Sequence, residues 1–352
     1  MSASRSCSND PAVRYHALVI ERVVEETPDT RSLVLAVPPE LRERFAYEAG
    51  QFLTFRVPWQ GGALYRCYSL ASCPLTDREW KVTVKRVEQG RVSNWMHDAL
   101  GPGDRVEVLP PSGGFVLRPS ERPLLLLAAG SGITPIISLA KSALASTRRT
   151  VRLLYANRNR SAIIFRAELG ALARRHPQRF DLRLHRDDER GFLDAAAVRL
   201  HAAGVEEAEA YLCGPGPFME LAEEALLSLH FDPERILIER FESGPDGKAP
   251  QAAVAASEEP VPLELGVRLD GGRHRVPYRR GQSILEAVRA AGLDAPFACQ
   301  EGHCGACCAR CVQGEVRMGA NEVLDKAELA EGWVLTCQGR ACGPVCEIDY
   351  DA

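Results

Sequence analysis

The sequence predicts a multidomain fold: a small antiparallel β-barrel, an α/β domain on a parallel doubly wound sheet, and a compact β-grasp unit at the C-terminal end. Three observations carry that reading. Up to Leu117, short strands of alternating polarity follow one another between Pro, Gly and Asp residues; from Leu124 the rhythm becomes strand, glycine-rich turn and helix; and eight of the twelve cysteines fall in the last 54 residues. Closely spaced strands argue a barrel, whereas strands separated by helical crossovers argue a parallel sheet. A length of 352 residues suits two or three domains.

In the first segment strands are read at His16–Val24, Ser32–Val37, Phe52–Val57, Leu64–Ala71, Trp80–Lys85 and Arg105–Leu109, with one helix over Val92–Leu100. In the second, strands Leu124–Ala129, Val151–Ala156, Phe180–Leu184, Ala210–Cys213 and Ile236–Glu239 alternate with helices Pro135–Ala145, Phe165–Arg175, Asp194–His201 and Pro217–Leu229. Such a sheet places ligands at the carboxyl ends of its strands. Residues 244–260 are small, polar and punctuated by proline, without a usable apolar face, and read as a semi-extended linker. Beyond them Leu263–Leu269 and His274–Val276 read as a hairpin, Ser283 and Glu286 as a capping box opening a helix, and Glu315–Met318 and Val345–Ile348 as late strands. The expected domains are therefore 12–118, 119–243 and 261–352.

Composition excludes several classes. A net charge of -4 without a basic stripe argues against a nucleic-acid binder. The longest apolar run, Leu124–Ala129, is far short of the roughly 20 residues that cross a bilayer. Met1 to Pro11 is polar and does not read as a secretory leader, so a reducing, cytoplasmic setting is expected, in which clustered cysteines serve chemistry rather than disulfides.

That chemistry is concentrated in Cys299-Gln-Glu-Gly-His-Cys304-Gly-Ala-Cys307, followed after 29 residues by Cys337. Intervals of four, two and many residues resemble the plant-type ferredoxin pattern, in which four thiolates hold a [2Fe–2S] cluster and electrons move one at a time. Gly302 and Gly305 let backbone N–H groups approach the sulfurs. Cys308-x-x-Cys311 with Cys342 and Cys346 could instead form a zinc site. The favoured reading leaves those four as small apolar residues near the cluster or in the core.

Four upstream motifs could supply electrons. Arg66-Cys67-Tyr68-Ser69 offers a cation for phosphate, an aromatic plane, and a hydroxyl for a ring nitrogen such as flavin N5; strand alternation sets Ser69 opposite Arg66 and Tyr68 unless the strand bends. Lys85 to Ser93 ends a strand and opens a helix, with Ser93 placed to cap it and Lys85, Arg91 and Val92 flanking a pyrophosphate position. Ala128-Ala-Gly130-Ser-Gly132-Ile-Thr134-Pro135 follows a buried strand, and Thr134 can cap the helix it opens. Tyr211-Leu-Cys213-Gly214-Pro215-Gly216-Pro217-Phe-Met219 repeats the strand-to-helix turn; its glycines clear space for a nicotinamide and Cys213 is a small neighbour for the reacting carbon. Each alone has a plainer reading as a wet strand, a capped turn or a tight turn.

Together, in this order, they resemble the ferredoxin-NADP reductase-like superfamily over residues 15 to 243, and the terminal cysteine loop narrows this to the three-module oxygenase reductases. Within that group Asn94-Trp95, Leu109-Pro-Pro-Ser-Gly-Gly, Leu154-Tyr-Ala-Asn-Arg and Cys213-Gly-Pro-Gly-Pro-Phe-Met are most similar to the reductases of 3-ketosteroid 9α-hydroxylases, then to those of phenylacetyl-CoA epoxidases. The resemblance implies a barrel holding FAD, an α/β domain holding NADH (NADPH being less favoured), and a β-grasp [2Fe–2S] ferredoxin domain. It gives Arg66 and Lys85 through Ser93 to the FAD phosphates, Tyr68 and Ser69 to its ring, Thr134 to the flavin–nicotinamide junction, and weaker parts to Glu239 and Phe241, the latter reading more simply as core.

The implied partner is a terminal oxygenase. A Rieske-type ring hydroxylase is favoured, a diiron epoxidase, hydroxylase or desaturase is the alternative, and the protein is expected to be a monomer. A non-catalytic redox sensor is the rival of another class. Arg158 and Arg160, after Tyr155, stand where a 2′-phosphate would be read.

Overall fold

The computed structural model describes residues 15–59, 62–241, 261–321 and 323–352; the expected linker 244–260 lies outside them. The first sheet contains β1 (His16–Thr27), β2 (Thr30–Ala36), β3 (Phe52–Trp59), β4 (Gly62–Ser69), β5 (Trp80–Lys85) and β6 (Arg105–Val108), in the order β4-β3-β6-β1-β2-β5. A bridge between Leu70 and Val82 links the two edge strands and curls the sheet toward a barrel. Alternate residues such as Leu18, Ile20, Leu33, Leu35, Phe55 and Val82 fill its interior. Among the described residues its α-helix, α1, spans Arg91–Ala99.

The second sheet contains β7 (Leu124–Ala129), β8 (Val151–Asn157), β9 (Phe180–Arg186), β10 (Glu209–Gly214) and β11 (Ile236–Arg240), all parallel, in the order β11-β10-β7-β8-β9. β7 and β10 are buried along their whole length, which is why each reads as a nearly continuous apolar run. The helices are α2 (Ile133–Ser146), α3 (Arg166–Arg175), the short α4 (Asp187–Arg190), α5 (Ala195–Ala202) and α6 (Gly216–Leu227). Strand order reverses between β7 and β10, so the ligand crevice of this fold falls outside their carboxyl ends.

The third sheet contains β12 (Glu264–Leu269), β13 (Gly272–Pro277), β14 (Cys308–Met318), β15 (Trp333–Leu335) and β16 (Gly339–Asp349), with β12 parallel to β16. Its helices are α7 (Ile284–Ala290) and α8 (Lys326–Ala330). The expected capping box is present: Glu286 N–H donates to Ser283 Oγ at 3.1 Å and Ser283 N–H to Glu286 Oε2 at 2.7 Å.

β14 begins seven residues before the strand expected from sequence. Its period-2 pattern is broken by register shifts between Cys311 and Gln313 and between Gly314 and Glu315, and Gly314 has φ +92°. The barrel and the parallel sheet are joined by buried polar contacts: Ser138 donates to the Ser72 carbonyl at 2.6 Å, and Glu168 accepts from Lys81 at 3.1 Å and Lys141 at 2.6 Å. No helix among the described residues is long and apolar enough to cross a membrane.

Candidate functional site

A cavity of about 770 Å³ opens where the three sheets meet. The barrel lends Arg66 to Ser69 and Val87 to Ser93, the parallel sheet lends Thr134 and the end of β11, and the cysteine loop lends Phe297 to Glu301. Ser69, Thr134, Glu239 and Cys299, far apart in sequence, thus line one cavity.

β4 ends at Ser69, and there the alternation expected to turn Ser69 away from Tyr68 breaks down: both border the cavity. Ser69 is 3% exposed and its Oγ finds no hydrogen-bond partner. An unpaired buried hydroxyl costs about 1–3 kcal/mol, so the position suits an acceptor or donor atom on a bound ring. Tyr68 packs edge-on against Phe55, ring centroids 5.5 Å apart, and burial holds its phenol neutral well above the usual range.

The cavity also carries cations. Arg66 is half-buried, its guanidinium disfavoured mainly by burial, and Nη1 donates to the Tyr65 carbonyl at 2.7 Å. No ion pair among the described residues takes Arg66 or Arg91. Lys85, pushed down by burial, has Asp29 Oδ2 at 3.9 Å.

Ser93 does not cap α1. Its hydroxyl accepts from Val87 N–H at 3.1 Å, and the N-cap is Gly90, without a side-chain cap. A Cβ at Gly90 would stand 2.6 Å from Ser93 Oγ and 2.9 Å from Val87 Cβ. The turn therefore closes tightly on itself, and the first-turn N–H groups stay free for an anion. Unpaired cations beside an uncapped helix start, with a buried orphan hydroxyl in the same cavity, fit FAD.

At the strand-order reversal two turns meet backbone to backbone. Gly130 has φ +53°, and a Cβ on Gly132 would lie 2.1 Å from the Cys213 carbonyl oxygen. One on Gly214 would lie 2.8 Å from the Phe218 ring. Thr134, expected as a cap, is the second residue of α2, and its hydroxyl donates to the Ser131 carbonyl at 3.0 Å; Pro135 sits in the same first turn.

The residues expected to meet the nicotinamide are placed differently. Cys213 is fully buried, its thiol pushed up by burial and then by Glu239, so it does not stand open beside a reacting carbon. Gly130, Gly132, Pro135, Gly214, Pro215 and Gly216 do not border the cavity, although Gly216 opens α6 into free space. They shape the turns through which Ser131 and Thr134 reach it.

Phe241 is 37% exposed at the cavity, not core. Glu239 is held up to about 8 by burial and by Glu301 of the cysteine loop. Its folded carboxyl keeps a proton that the unfolded one loses near 4.5. Its contribution to stability is thus full below about pH 4.5 and is lost as pH climbs toward about 8. Glu239→Gln should flatten the decline in that window, as chemical denaturation at several pH values would show.

The four expected thiolates fall into two pairs. Cys299 and Cys304 hydrogen-bond to each other, as do Cys307 and Cys337, and Cys304, Cys307 and Cys337 are buried while Cys299 borders the cavity. The Cys304 partner, and then burial, raise the Cys299 thiol; the Cys337 partner, and then burial, raise Cys307. Cys299 N–H points at Cys304 Sγ and Glu301 N–H at Cys299 Sγ, each at 3.4 Å. Gly302 (φ +86°) brings its Cα where a Cβ would be 2.8 Å from the Ala320 carbonyl.

Among the described residues no three His, Cys, Asp or Glu side chains converge on a single metal ion. Two adjacent thiol pairs are instead what two bridged irons need, one pair each. The extra cysteines do not assemble the zinc alternative: Cys311 hydrogen-bonds Cys346 across β14 and β16, and Cys346 is packed in the core.

Fold and site together define an oxidoreductase that uses FAD, a nicotinamide nucleotide and a [2Fe–2S] cluster. Family models agree segment by segment: an oxidoreductase FAD-binding domain over residues 17–117, an oxidoreductase NAD-binding domain over 126–224 and a 2Fe-2S iron-sulfur cluster binding domain over 267–342. The chain belongs to the ferredoxin-NADP reductase-like family of oxygenase reductase components.

It is 43% identical to the ferredoxin reductase component of 3-ketosteroid-9-alpha-monooxygenase from Rhodococcus rhodochrous, over 95% of this chain and 96% of that one. It is 33% identical to one of the subunits of 1,2-phenylacetyl-CoA epoxidase from Escherichia coli strain K12, over 96% and 98%. Phthalate dioxygenase reductase, a modular structure for electron transfer from pyridine nucleotides to [2Fe–2S], superposes with a TM-score of 0.60 at 26% identity, over 96% of this chain and 98% of that one.

Proposed function

We propose that this chain serves a separate terminal oxygenase of the Rieske ring-hydroxylating kind, with a 3-ketosteroid 9α-hydroxylase as the favoured partner, and that NADH is its reductant. The observation that carries the electron path is the shared cavity, which Ser69, Thr134 and Cys299 all line. When bound, the flavin converts a hydride into single electrons and the cluster relays them outward.

The residues do the positioning. Arg66, Lys85, Arg91, Val92 and Ser93 would seat the pyrophosphate against the start of α1; Tyr68 would lie against the ring and Ser69 would hydrogen-bond a ring nitrogen. Thr134, anchored to the Ser131 carbonyl, limits how the nicotinamide approaches, and the turns built by Gly130, Gly132, Pro135, Cys213, Gly214, Pro215 and Gly216 carry the nucleotide. Glu239 and Phe241 close the cavity toward the cysteine loop. Cys299, Cys304, Cys307 and Cys337 hold the cluster. Ser69→Ala should retain FAD yet slow its reduction by NADH about 10–100-fold, by loss of one preorganised hydrogen bond; single-turnover absorbance at the flavin band checks it.

NADH is favoured because one of the two arginines after Tyr155 is already paired: Arg158 Nη2 stands 3.0 Å from Asp29 Oδ2. Admitting a phosphate there places it beside a carboxylate. kcat/KM should favour NADH over NADPH by at least about tenfold, and Asp29→Asn should narrow the gap. The oxygenase is tested by reconstitution: NADH and oxygen consumed in step with hydroxylated ketosteroid support the favoured partner, whereas coupling only to a diiron epoxidase supports the phenylacetyl-CoA relative's kind of partner.

A further inference from the structure

Cys67 entered the sequence only as the residue between Arg66 and Tyr68, yet the structure sets its thiol against the cysteine loop. Its side chain packs against the apolar cluster that holds Cys304. In that cluster Phe52, Cys304 and Ala306 are buried and Tyr65, Cys67 and Cys299 pack against them. Thr54, opposite Cys67 in the β3–β4 register and 1% exposed, places Oγ1 at 3.6 Å from Cys67 Sγ. A second tie, from the Ser112 hydroxyl to the His303 carbonyl, fixes the same loop to the barrel.

The order of donors follows from chemistry. A hydroxyl is a better donor than a thiol, so Thr54 donates to Cys67 Sγ and leaves the Cys67 S–H to point elsewhere. The remaining neighbour is Cys304, which becomes a thiolate, and so only an acceptor, when it ligates iron. This rests on the reading that the four cysteines hold the cluster.

We propose that Cys67 is a positioning residue of the electron path: its S–H donates to the Cys304 thiolate, so the strand that lines the flavin ring also hydrogen-bonds the cluster. One-electron reduction adds negative charge that the thiolate sulfurs share. A donor aimed at one of them stabilises the reduced form more than the oxidised form and raises the cluster's potential. The donor belongs to the barrel, so the cluster is easiest to reduce while the loop rests on β4, next to the source of electrons.

The test uses the full chain with Cys67→Ala and Cys67→Ser, iron, sulfide and FAD contents being measured first. Loss of the cluster from both variants with normal folding would contradict the packing of Cys67 on an otherwise self-sufficient cysteine loop. In an EPR-monitored redox titration, Cys67→Ala should shift the flavin–cluster equilibrium about tenfold away from the reduced cluster, a drop of about 59 mV for one electron. Cys67→Ser, which keeps a donor, should stay within about threefold. After exchange into D2O, the reduced cluster should show a coupled exchangeable proton in the wild type and Cys67→Ser that is missing in Cys67→Ala. An unchanged midpoint in Cys67→Ala, an equal drop in both variants, or the same proton coupling in all three would overturn the proposal.

Discussion

Replacing Cys304 by serine is expected to abolish the iron–sulfur absorption and cut delivery of electrons to cytochrome c by about 100-fold or more, while NADH still bleaches the flavin. Cys304 pairs with Cys299 at 2% exposure, and the loop around it is held by Gly302 and Gly305, at φ +86° and +69°. An alkoxide is a poor substitute for a thiolate on iron, and even changes beyond the ligands cost about 10–100-fold. Ser69 and the α1 start belong to the barrel, on chain segments separate from the cysteine loop. Parallel loss of flavin reduction would mean that the loop supports the flavin site itself.

Gly132→Ala is expected to be the most damaging small change in the nucleotide domain. Its new methyl would fall 2.1 Å from the Cys213 carbonyl oxygen, 2.4 Å from its carbon and 2.7 Å from Gly214 N. All three are backbone atoms at the meeting of β7 and β10, so neither turn can yield without shifting a central strand. Overpacking of this kind costs about 1–3 kcal/mol or more. Thermal unfolding should move down by several degrees, and KM for NADH should rise about tenfold or more while FAD binding persists. Gly216→Ala, with open space around its position, is the control and should leave stability nearly unchanged.

Much of this is legible in the sequence alone. The strand-to-helix turns after Ala129 and Cys213 are encoded by buried apolar runs ending in glycine, and the cysteine spacing encodes the loop. What stays hidden depends on tertiary packing. The hydroxyl of Ser93 looks like a helix cap because it precedes a helix, but α1 starts two residues earlier and the side chain folds back to Val87. Cys213 looks open because glycines surround it, yet those glycines let two backbones close over it.

The first seven of the 11 residues of β14 escape the pattern because bulges at Cys311 and Gly314 erase its alternation, and α8 escapes because it is only five residues long, although its Asp325–Glu328 capping box is there to read. The parts played by Cys67 and Asp29 need contacts between residues distant in the chain, Cys67 with Cys304 and Asp29 with Arg158, which no local pattern carries.

On the proposed path, electrons pass from the nucleotide through the cavity beside Ser69 into the cluster held by the two cysteine pairs. Rapid-freeze EPR after anaerobic mixing of the holoprotein with NADH tests it most directly. The signal of a reduced [2Fe–2S] cluster should grow in after flavin bleaching and no slower than turnover. A fully bleached flavin beside a cluster that stays oxidised on that timescale would contradict the proposed path.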